Sequence, residues 1–479
     1  MFGALEALFA IHGIRALHLT VGTMTRQVSA KQIEVGETPE EYEKLLPLLS
    51  EDIQGLIHVL PHEGEPFSRT QNTENLFLLL KALAPLFKTP QKPQKGIFNL
   101  SFMGGGFALD HTKPFAACDA GSIGLMKTVA REWPHCRVQC LDFDPTLDTD
   151  RLMSAFWQAL TLDNPAVELG FNHEGSYTIA LIEEEPNVSG VSGIKDGAVI
   201  LVTGGAYGIT ADCAIALAQK IKAHFILLGR SALPEVVTWP NDPDFIRGEL
   251  IAKAKAQNIK KTPVEIELEV KKIIKDRAIL SSLERLKEQA LSVQYHSLDV
   301  RDENALSAVI QSIDNEHGRL DGIIHGAGVI EDKWLADKSF DAFSRVFSTK
   351  VDAALTLAKH VDLSRLAFFA FFSSVSSRFG NIGQSDYSAA NEVLNKLADV
   401  LADRFQGRMV AINWGPWDSG MVSDGLRKLY QSRGIELIPI EEGVEAFVDE
   451  VLSFSGDAEV VITCSAGTIA SGGLGKGMA

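Results

Sequence analysis

Apolar runs of strand length recur through the second half of the chain: AVILV (198–202), HFILLG (224–229), VQYHSLDV (293–300), LDGIIHGAG (320–328), LAFFAFFSS (366–374), MVAINWG (409–415) and EVVIT (459–463). Most are separated by helical text, the signature of a parallel sheet covered by helices on both faces. The predicted fold class is α/β, a doubly wound parallel sheet. Upstream the alternation is thinner. GLIHVL, GIFNLSF, RVQCLDF and YTIALIE read as strands, and NTENLFLLLKALAPLF and DAGSIGLMKTVAREW read as helices.

The stretch from Asp119 to Phe143 resembles that from Asp386 to Trp414: a small-residue helix, a polar turn, then a strand. The upstream copy has no tyrosine or asparagine at the corresponding places. The first half is therefore expected to be a truncated copy that buries a face of the second and does no chemistry. The polar stretch PNVSGVSGIKDG (186–197) places the join. This gives a structural subdomain over 1–190, a catalytic subdomain over 191–465 and a flexible, glycine-rich tail over 466–479.

One feature exceeds a minimal fold. More than sixty residues separate the second and third strands, an insertion over about 232–292. Within it TPVE (262–265) supplies an N-cap threonine, a proline for the first helical position and a glutamate for a capping box, so a long helix is expected from Pro263 to about Ala290. Its cations Lys271, Lys272, Lys275, Arg277, Arg285 and Lys287 read either as a solvated face of a helical hairpin or as a docking surface.

Composition narrows the partners. With 479 residues, two domains are the natural prior, and 46% hydrophobic against 22% charged residues is globular. A formal charge of −17 and a pI near 5.2 argue against a nucleic-acid backbone or an anionic membrane as main partner. The first twenty residues carry Glu6 and His12 inside the apolar stretch and lack a basic start, unlike a secretory signal. Five cysteines suit a reducing, cytoplasmic setting, and Cys136 and Cys140 (CRVQCLDF) read as buried thiols on a strand.

After AVILV comes TGGAYGIT (203–210), a strand running into a glycine-rich turn and a helix, as a dinucleotide pyrophosphate requires. Gly204, Gly205 and Gly208 are the expected contacts, flanked by Thr203, Tyr207 and Ile209. The second strand ends in LLGRS, placing Arg230 and Ser231 where an NAD site usually carries an acid, so a 2′-phosphate and hence NADPH is expected. Asp299 and Val300, after the third strand, are candidates for the adenine, and Gly326, Ala327 and Gly328 form a close-approach turn after the fourth. The motifs together define a Rossmann-type sheet; no metal ligand set stands out.

Ser374 ends the fifth strand and Tyr387 follows thirteen residues later. Such a pair can orient a carbonyl and donate a proton as hydride arrives, but a free phenol has a pKa of about 10, and a nearby ammonium is needed to lower it. Many nicotinamide-dependent reductases place a lysine four residues after the tyrosine; here that residue is Asn391, and Lys396 falls on the opposite helix face. Lys350, in FSTKVDAALTL, sits 24 residues before Ser374 on the preceding helix.

Lys350, Ser374, Tyr387 and Asn391 in this order resemble the ketoreductase domains of modular polyketide synthases, within the short-chain dehydrogenase/reductase superfamily. There lysine and asparagine have exchanged places, so the lysine is relocated. AACDAGSIGLMKTVAREWPHCRVQCLDFDP is similar to the end of that family's structural subdomain, and AINWGPWDSGM (411–421) to the segment leading into its substrate lid. The insertion and the GGAYGIT wording most resemble the ketoreductase of polyunsaturated fatty-acid synthases. Gly104 to Gly106 would then be a degenerate nucleotide turn, and Thr210 replaces a usual third glycine.

The resemblance implies hydride transfer from NADPH to a 3-oxoacyl thioester on the phosphopantetheine arm of an acyl carrier protein domain, with other synthase domains as partners. It implies that Tyr387 protonates the alkoxide, Ser374 holds the carbonyl, Lys350 tunes the tyrosine and Asn391 orients a relay water. The Ile330, Glu331, Asp332 triplet retains only the last Asp of the LDD signature, and Phe379 replaces the tryptophan of the opposite stereochemical class, implying a D (3R) alcohol with Asp332 in stereocontrol. Two other readings remain: a stand-alone short-chain reductase of a small ketone, and a non-reducing scaffold, which a cleft blocked by Tyr207 would favour.

Overall fold

A computed structural model describes residues 1–49, 52–90, 94–109, 115–163, 166–183, 193–233, 239–402, 404–419, 424–453 and 456–464. The expected tail, residues 186–192 of the join and residues 420–423, where the resemblance would begin a lid, lie outside them.

Three sheets form. At the start, β1 (His18–Gly22), β2 (Arg26–Ser29) and β3 (Gln32–Gly36) make a small sheet in the order β1-β3-β2. The second contains β4 (Gly55–Val59), β5 (Gly96–Ser101), β6 (Arg137–Phe143), β7 (Glu168–Phe171) and β8 (Ser176–Tyr177) in chain order. The third contains β9 (Val199–Thr203), β10 (His224–Gly229), β11 (Ser292–Ser297), β12 (Gly322–His325), β13 (Phe368–Ser374), β14 (Arg408–Trp414) and β15 (Glu459–Ile462). Its order is β11-β10-β9-β12-β13-β14-β15, parallel throughout. The strand order reverses between β9 and β12, the topological switch point at which doubly wound sheets bind ligands. Every residue of β9 and β14 is buried, as strands covered on both faces must be.

All seven expected strands of the second half form. The third ends at Ser297, so Asp299 and Val300 sit beyond it. The helix with the capping box runs Pro263–Gln289, with Thr262 Oγ1 accepting from Glu265 N at 3.2 Å and Thr262 N donating to Glu265 at 2.6 Å. Cys136 and Cys140 are buried on or beside β6.

The first half departs in one place. YTIALIE is not a strand beyond Tyr177: Leu181 and Ile182 are 43% and 82% exposed, so the apolar run has no partner surface. The fourth parallel strand is instead ELGF, which reads polar because Glu168 is charged. That carboxylate belongs to a buried ionic cluster at the join of the halves. Lys127 reaches Glu168 at 2.8 Å and Glu392 at 3.1 Å, Arg378 pairs with Glu168, and Lys396 pairs with Glu459 and, at 3.1 Å, with Asp399. Lys396 thus faces away from Tyr387 into an ion cluster.

The two similar helices pack on each other. A Cβ on Gly124 of the Gly121–Glu132 helix would lie 2.3 Å from the Ser388 carbonyl of the Ser385–Ala402 helix, so only glycine permits this crossing. One apolar core runs through the facing helices of both sheets, from Leu76 and Phe77 to Phe343, Phe347 and Val393. The turn at Gly104 to Gly106 is filled from within. The buried Asp142 carboxylate accepts from Ser101 Oγ (2.8 Å) and from the backbone N–H groups of Met103 (2.7 Å), Gly105 (2.8 Å) and Phe107 (2.8 Å). The donors that a phosphate would use are thereby taken.

Candidate active site

The C-terminal ends of β9, β10, β12, β13 and β14 open onto one cleft of about 550 Å³. Gly204, Tyr207, Gly208, Ile209, Arg230, Ser231, Asp299 and Val300 line it. Gly326, Ala327 and Gly328 line it too, as do Lys350, Ser374 and Tyr387. Asn381, Gln384, Trp414, Trp417 and Tyr430 line the far end.

The glycines are required by geometry. Gly204 and Gly208 hold φ of +71° and +66°, where side chains are strained. A Cβ on Gly204 would lie 2.9 Å from Ala327 N, and one on Gly326 would lie 2.3 Å from Thr210 Oγ1. The Thr210 departure therefore leaves the turn intact, because its side chain packs on Gly326. Thr203 and Gly205 do not line the cleft but shape it from behind. Thr203 Oγ1 is shared by His325 Nδ1 (2.8 Å) and Ala327 N (3.2 Å), and a Cβ on Gly205 would strike Val202. This cradle, open at the N-terminus of the Gly208–Lys220 helix, fits a dinucleotide. Arg230 is exposed on the wall; Asp299 is held by Arg301 Nε at 3.0 Å, which keeps its carboxyl below the usual range.

Lys350, on the Phe340–His360 helix, is buried; its Nζ donates to the Phe372 carbonyl at 2.6 Å and lies 5.4 Å from the centre of the Tyr387 ring. Burial presses its pKa down to about 7. His325 fixes the lysine's backbone, its Nε2 2.9 Å from the Lys350 carbonyl; burial, then the Lys350 charge, lower its pKa to about 3, so the ring is neutral. A Cβ on Gly328 would lie 2.9 Å from Lys350 Cε.

Tyr387 stands against the expectation of a lowered phenol. Burial raises its pKa to about 12, Asp332 adding to the rise and the Asn391 side chain opposing it. The phenol therefore keeps its proton. Asn391 is fully buried behind the cleft wall; its Nδ2 donates to the Tyr387 carbonyl at 2.8 Å, and its Oδ1 has no hydrogen-bond partner among the described residues. Ser374 Oγ accepts from Ser376 N at 3.2 Å. Asp332 does not reach the cleft; Gln384 Nε2, 3.1 Å from both of its oxygens, stands between.

Sequence reading missed how the first half holds this far end. Glu132 accepts from Leu335 N at 2.9 Å and Gly383 N at 3.0 Å, binding the loops that carry Asp332 and Gln384. Lys338, fully buried, pairs with Asp386 at 2.7 Å beside Tyr387. Lys275 and Ile279 of the inserted helix also line the cleft. None of these residues belongs to a spaced motif, and all become visible only when distant segments meet.

The doubly wound sheet thus places a serine, a tyrosine and a lysine at its switch point, where such sheets bind ligands. Residues 198–419 match the family model of the KR domain, and the chain carries a ketoreductase domain of the polyketide-synthase type. It is 28% identical over 485 residues to one subunit of the polyunsaturated fatty acid synthase from a Thraustochytrium species, covering 96% of this chain and 17% of that protein. It is 30% identical over 285 residues to the polyketide synthase PksN of Bacillus subtilis, covering 56% of this chain and 4% of the relative. The chain thus spans a small fraction of these relatives' length. In fold it resembles an N-terminal ketoreductase from the macrolactin assembly line, with a TM-score of 0.73 at 20% identity over 98% of this chain and 86% of the other. It also resembles a multidomain structure containing adenylation and ketoreductase domains from a keto acid-selecting module, with a TM-score of 0.78 at 18% identity over 100% and 38%. No helix among the described residues is long and apolar enough to cross a membrane.

Proposed function

We propose that the chain reduces a 3-oxoacyl thioester, carried by an acyl carrier protein domain, to the 3-hydroxyacyl thioester, with NADPH as reductant, within a polyunsaturated fatty-acid or polyketide synthase. The observation that carries the reading is the convergence of Lys350, Ser374 and Tyr387 in a cleft continuous with the glycine-rich turn. The glycine-rich turn and Arg230 would hold the cofactor, which when bound would supply the hydride.

Tyr387 donates its proton to the carbonyl oxygen as that oxygen gains charge. A phenol at about 12 suits this step: it stays protonated at neutral pH yet is far more acidic than an alkoxide's conjugate acid. Ser374 holds the carbonyl in line, and the Lys350 ammonium stabilises the phenolate left behind. The free Oδ1 of Asn391 offers a relay water an acceptor one helix turn from Tyr387. Residues 1–190 act as the structural subdomain, through Glu132 and the ionic cluster. The D (3R) alcohol follows from the retained Asp332, acting through Gln384.

A non-reducing scaffold would need these groups scattered or the cleft closed. Tyr207 instead lies on the wall, 37% exposed. The test is NADPH oxidation by the purified chain with a 3-oxoacyl N-acetylcysteamine thioester, followed by chiral analysis of the product. Turnover giving the 3R alcohol and lost in Tyr387→Phe is expected; a folded chain with no turnover would establish the scaffold, and a 3S product would overturn the stereochemical assignment.

A further inference from the structure

We propose that Lys275, carried by the insertion between β10 and β11, is a second cation of the subsite that binds the cofactor's 2′-phosphate. This rests on the NADPH reading above. The inserted hairpin pairs the Pro243–Ala256 helix with the Pro263–Gln289 helix. The longer helix is fixed along the Gly208–Lys220 helix. Ile279, Leu283 and Leu286 are buried in the core shared with Cys213, Ala214 and Leu217. Arg285 pairs with Asp212 at 3.2 Å, and Lys222 Nζ donates to the Gln289 carbonyl at 2.6 Å.

Lys275 is one turn before Ile279 on that same face, so the packing that buries Ile279 brings the exposed Lys275 to line the cleft. Its Nζ stands 6.0 Å from the ring centre of Tyr207, the side chain of the glycine-rich turn, and both residues line the cleft with Arg230 and Ser231. The neighbouring helix cations Lys272 and Arg285 are paired with Asp276 and Asp212, whereas Lys275 is left to the cleft, and Arg230 acts on Asp299 only at longer range. Tyr295 secures the opposite shelf, its hydroxyl donating to the Ser231 carbonyl at 2.6 Å. Lys275 and Arg230 both line the cleft, and the one carboxylate within Arg230's electrostatic reach, Asp299, is engaged by Arg301, so two cations in a chain of net charge −17 are left to meet a phosphate monoester dianion. The insertion is thereby part of the cofactor site, and five of its six cations in the long helix are left for other roles.

The test is calorimetric titration of the full chain with NADPH, NADH, 2′,5′-ADP and 5′-AMP, for the wild type, Lys275→Gln, Lys275→Arg and Arg230→Gln. Lys275→Gln should weaken NADPH and 2′,5′-ADP by about fivefold to tenfold, the scale of one exposed charge against a dianion. NADH and 5′-AMP should bind as in the wild type, and Lys275→Arg should restore most of the loss. Equal weakening of NADPH and NADH, or no weakening while Arg230→Gln loses NADPH selectively, would overturn the assignment and leave the NADPH reading standing. A wild type that binds NADH as tightly as NADPH would overturn both.

Discussion

Replacing Asp142 tests whether the turn at Gly104 to Gly106 is a nucleotide site or a structural plug. Its carboxylate is buried, with Ser101 Oγ and Met103 N on one oxygen and Gly105 N and Phe107 N on the other. Asp142→Ala leaves three buried N–H groups without an acceptor, at about 1–3 kcal/mol each. Against this, the variant no longer buries a charge, which raised the carboxyl's pKa in the first place. The donors left behind are neutral, so the net loss should fall at the low end of the range for breaking a buried charged site, about 3 kcal/mol. Asp142→Asn should lose nearly as much, because either orientation of the amide turns its NH₂ toward two donors. Urea titration of the full chain, followed by tryptophan fluorescence and circular dichroism, measures both, and calorimetry measures NADPH binding to the folded variants. An Asn variant as stable as the wild type would refute the plug. So would loss of NADPH binding from a folded Ala variant.

Three further outcomes follow from the site. Lys338→Met strands the buried Asp386 carboxylate beside Tyr387, which should cost about 3–5 kcal/mol in urea titration and lower turnover in the fraction that folds; a neutral effect would show that the pair is dispensable. Gly204→Ala forces a Cβ to within 2.9 Å of Ala327 N at a φ of +71°, and calorimetry should show NADPH affinity falling by about tenfold or more, while unchanged affinity would remove this turn from the cofactor site. The Lys350 pKa is about 7 in the folded chain against the ordinary 10.5, so the unfolded chain binds more protons between those values. Stability should therefore rise with pH across that window, by a few kcal/mol at most, and Lys350→Met should abolish the rise; a variant that keeps it would place the titration elsewhere.

Where burial is total, the sequence was legible. The strands of the large sheet read as continuous apolar runs because both faces are covered, and the long inserted helix declared itself through Thr262 and Glu265. Legibility failed where charge is buried or apolar residues are exposed. Glu168 disguised β7, and Leu181 and Ile182 counterfeited a strand. In the cleft, Lys350 was traceable by its order relative to Ser374 and Tyr387. Glu132, Lys338 and Lys275 were not, since each acts through residues remote in the chain, at Gly383, Asp386 and Tyr207. The phenol of Tyr387 was expected to be lowered; burial raises it, with Asp332 adding to the rise and only the Asn391 side chain opposing it.

The central claim is that a lysine from the Phe340–His360 helix completes a working proton donor at Tyr387. Its most direct test is the rate of NADPH-dependent reduction of a 3-oxoacyl thioester by the wild type beside Lys350→Met, with folding checked by circular dichroism. The account predicts a fall of about 10²–10⁴-fold, the range for losing support to a general acid; a folded variant that turns over at the wild-type rate would contradict it.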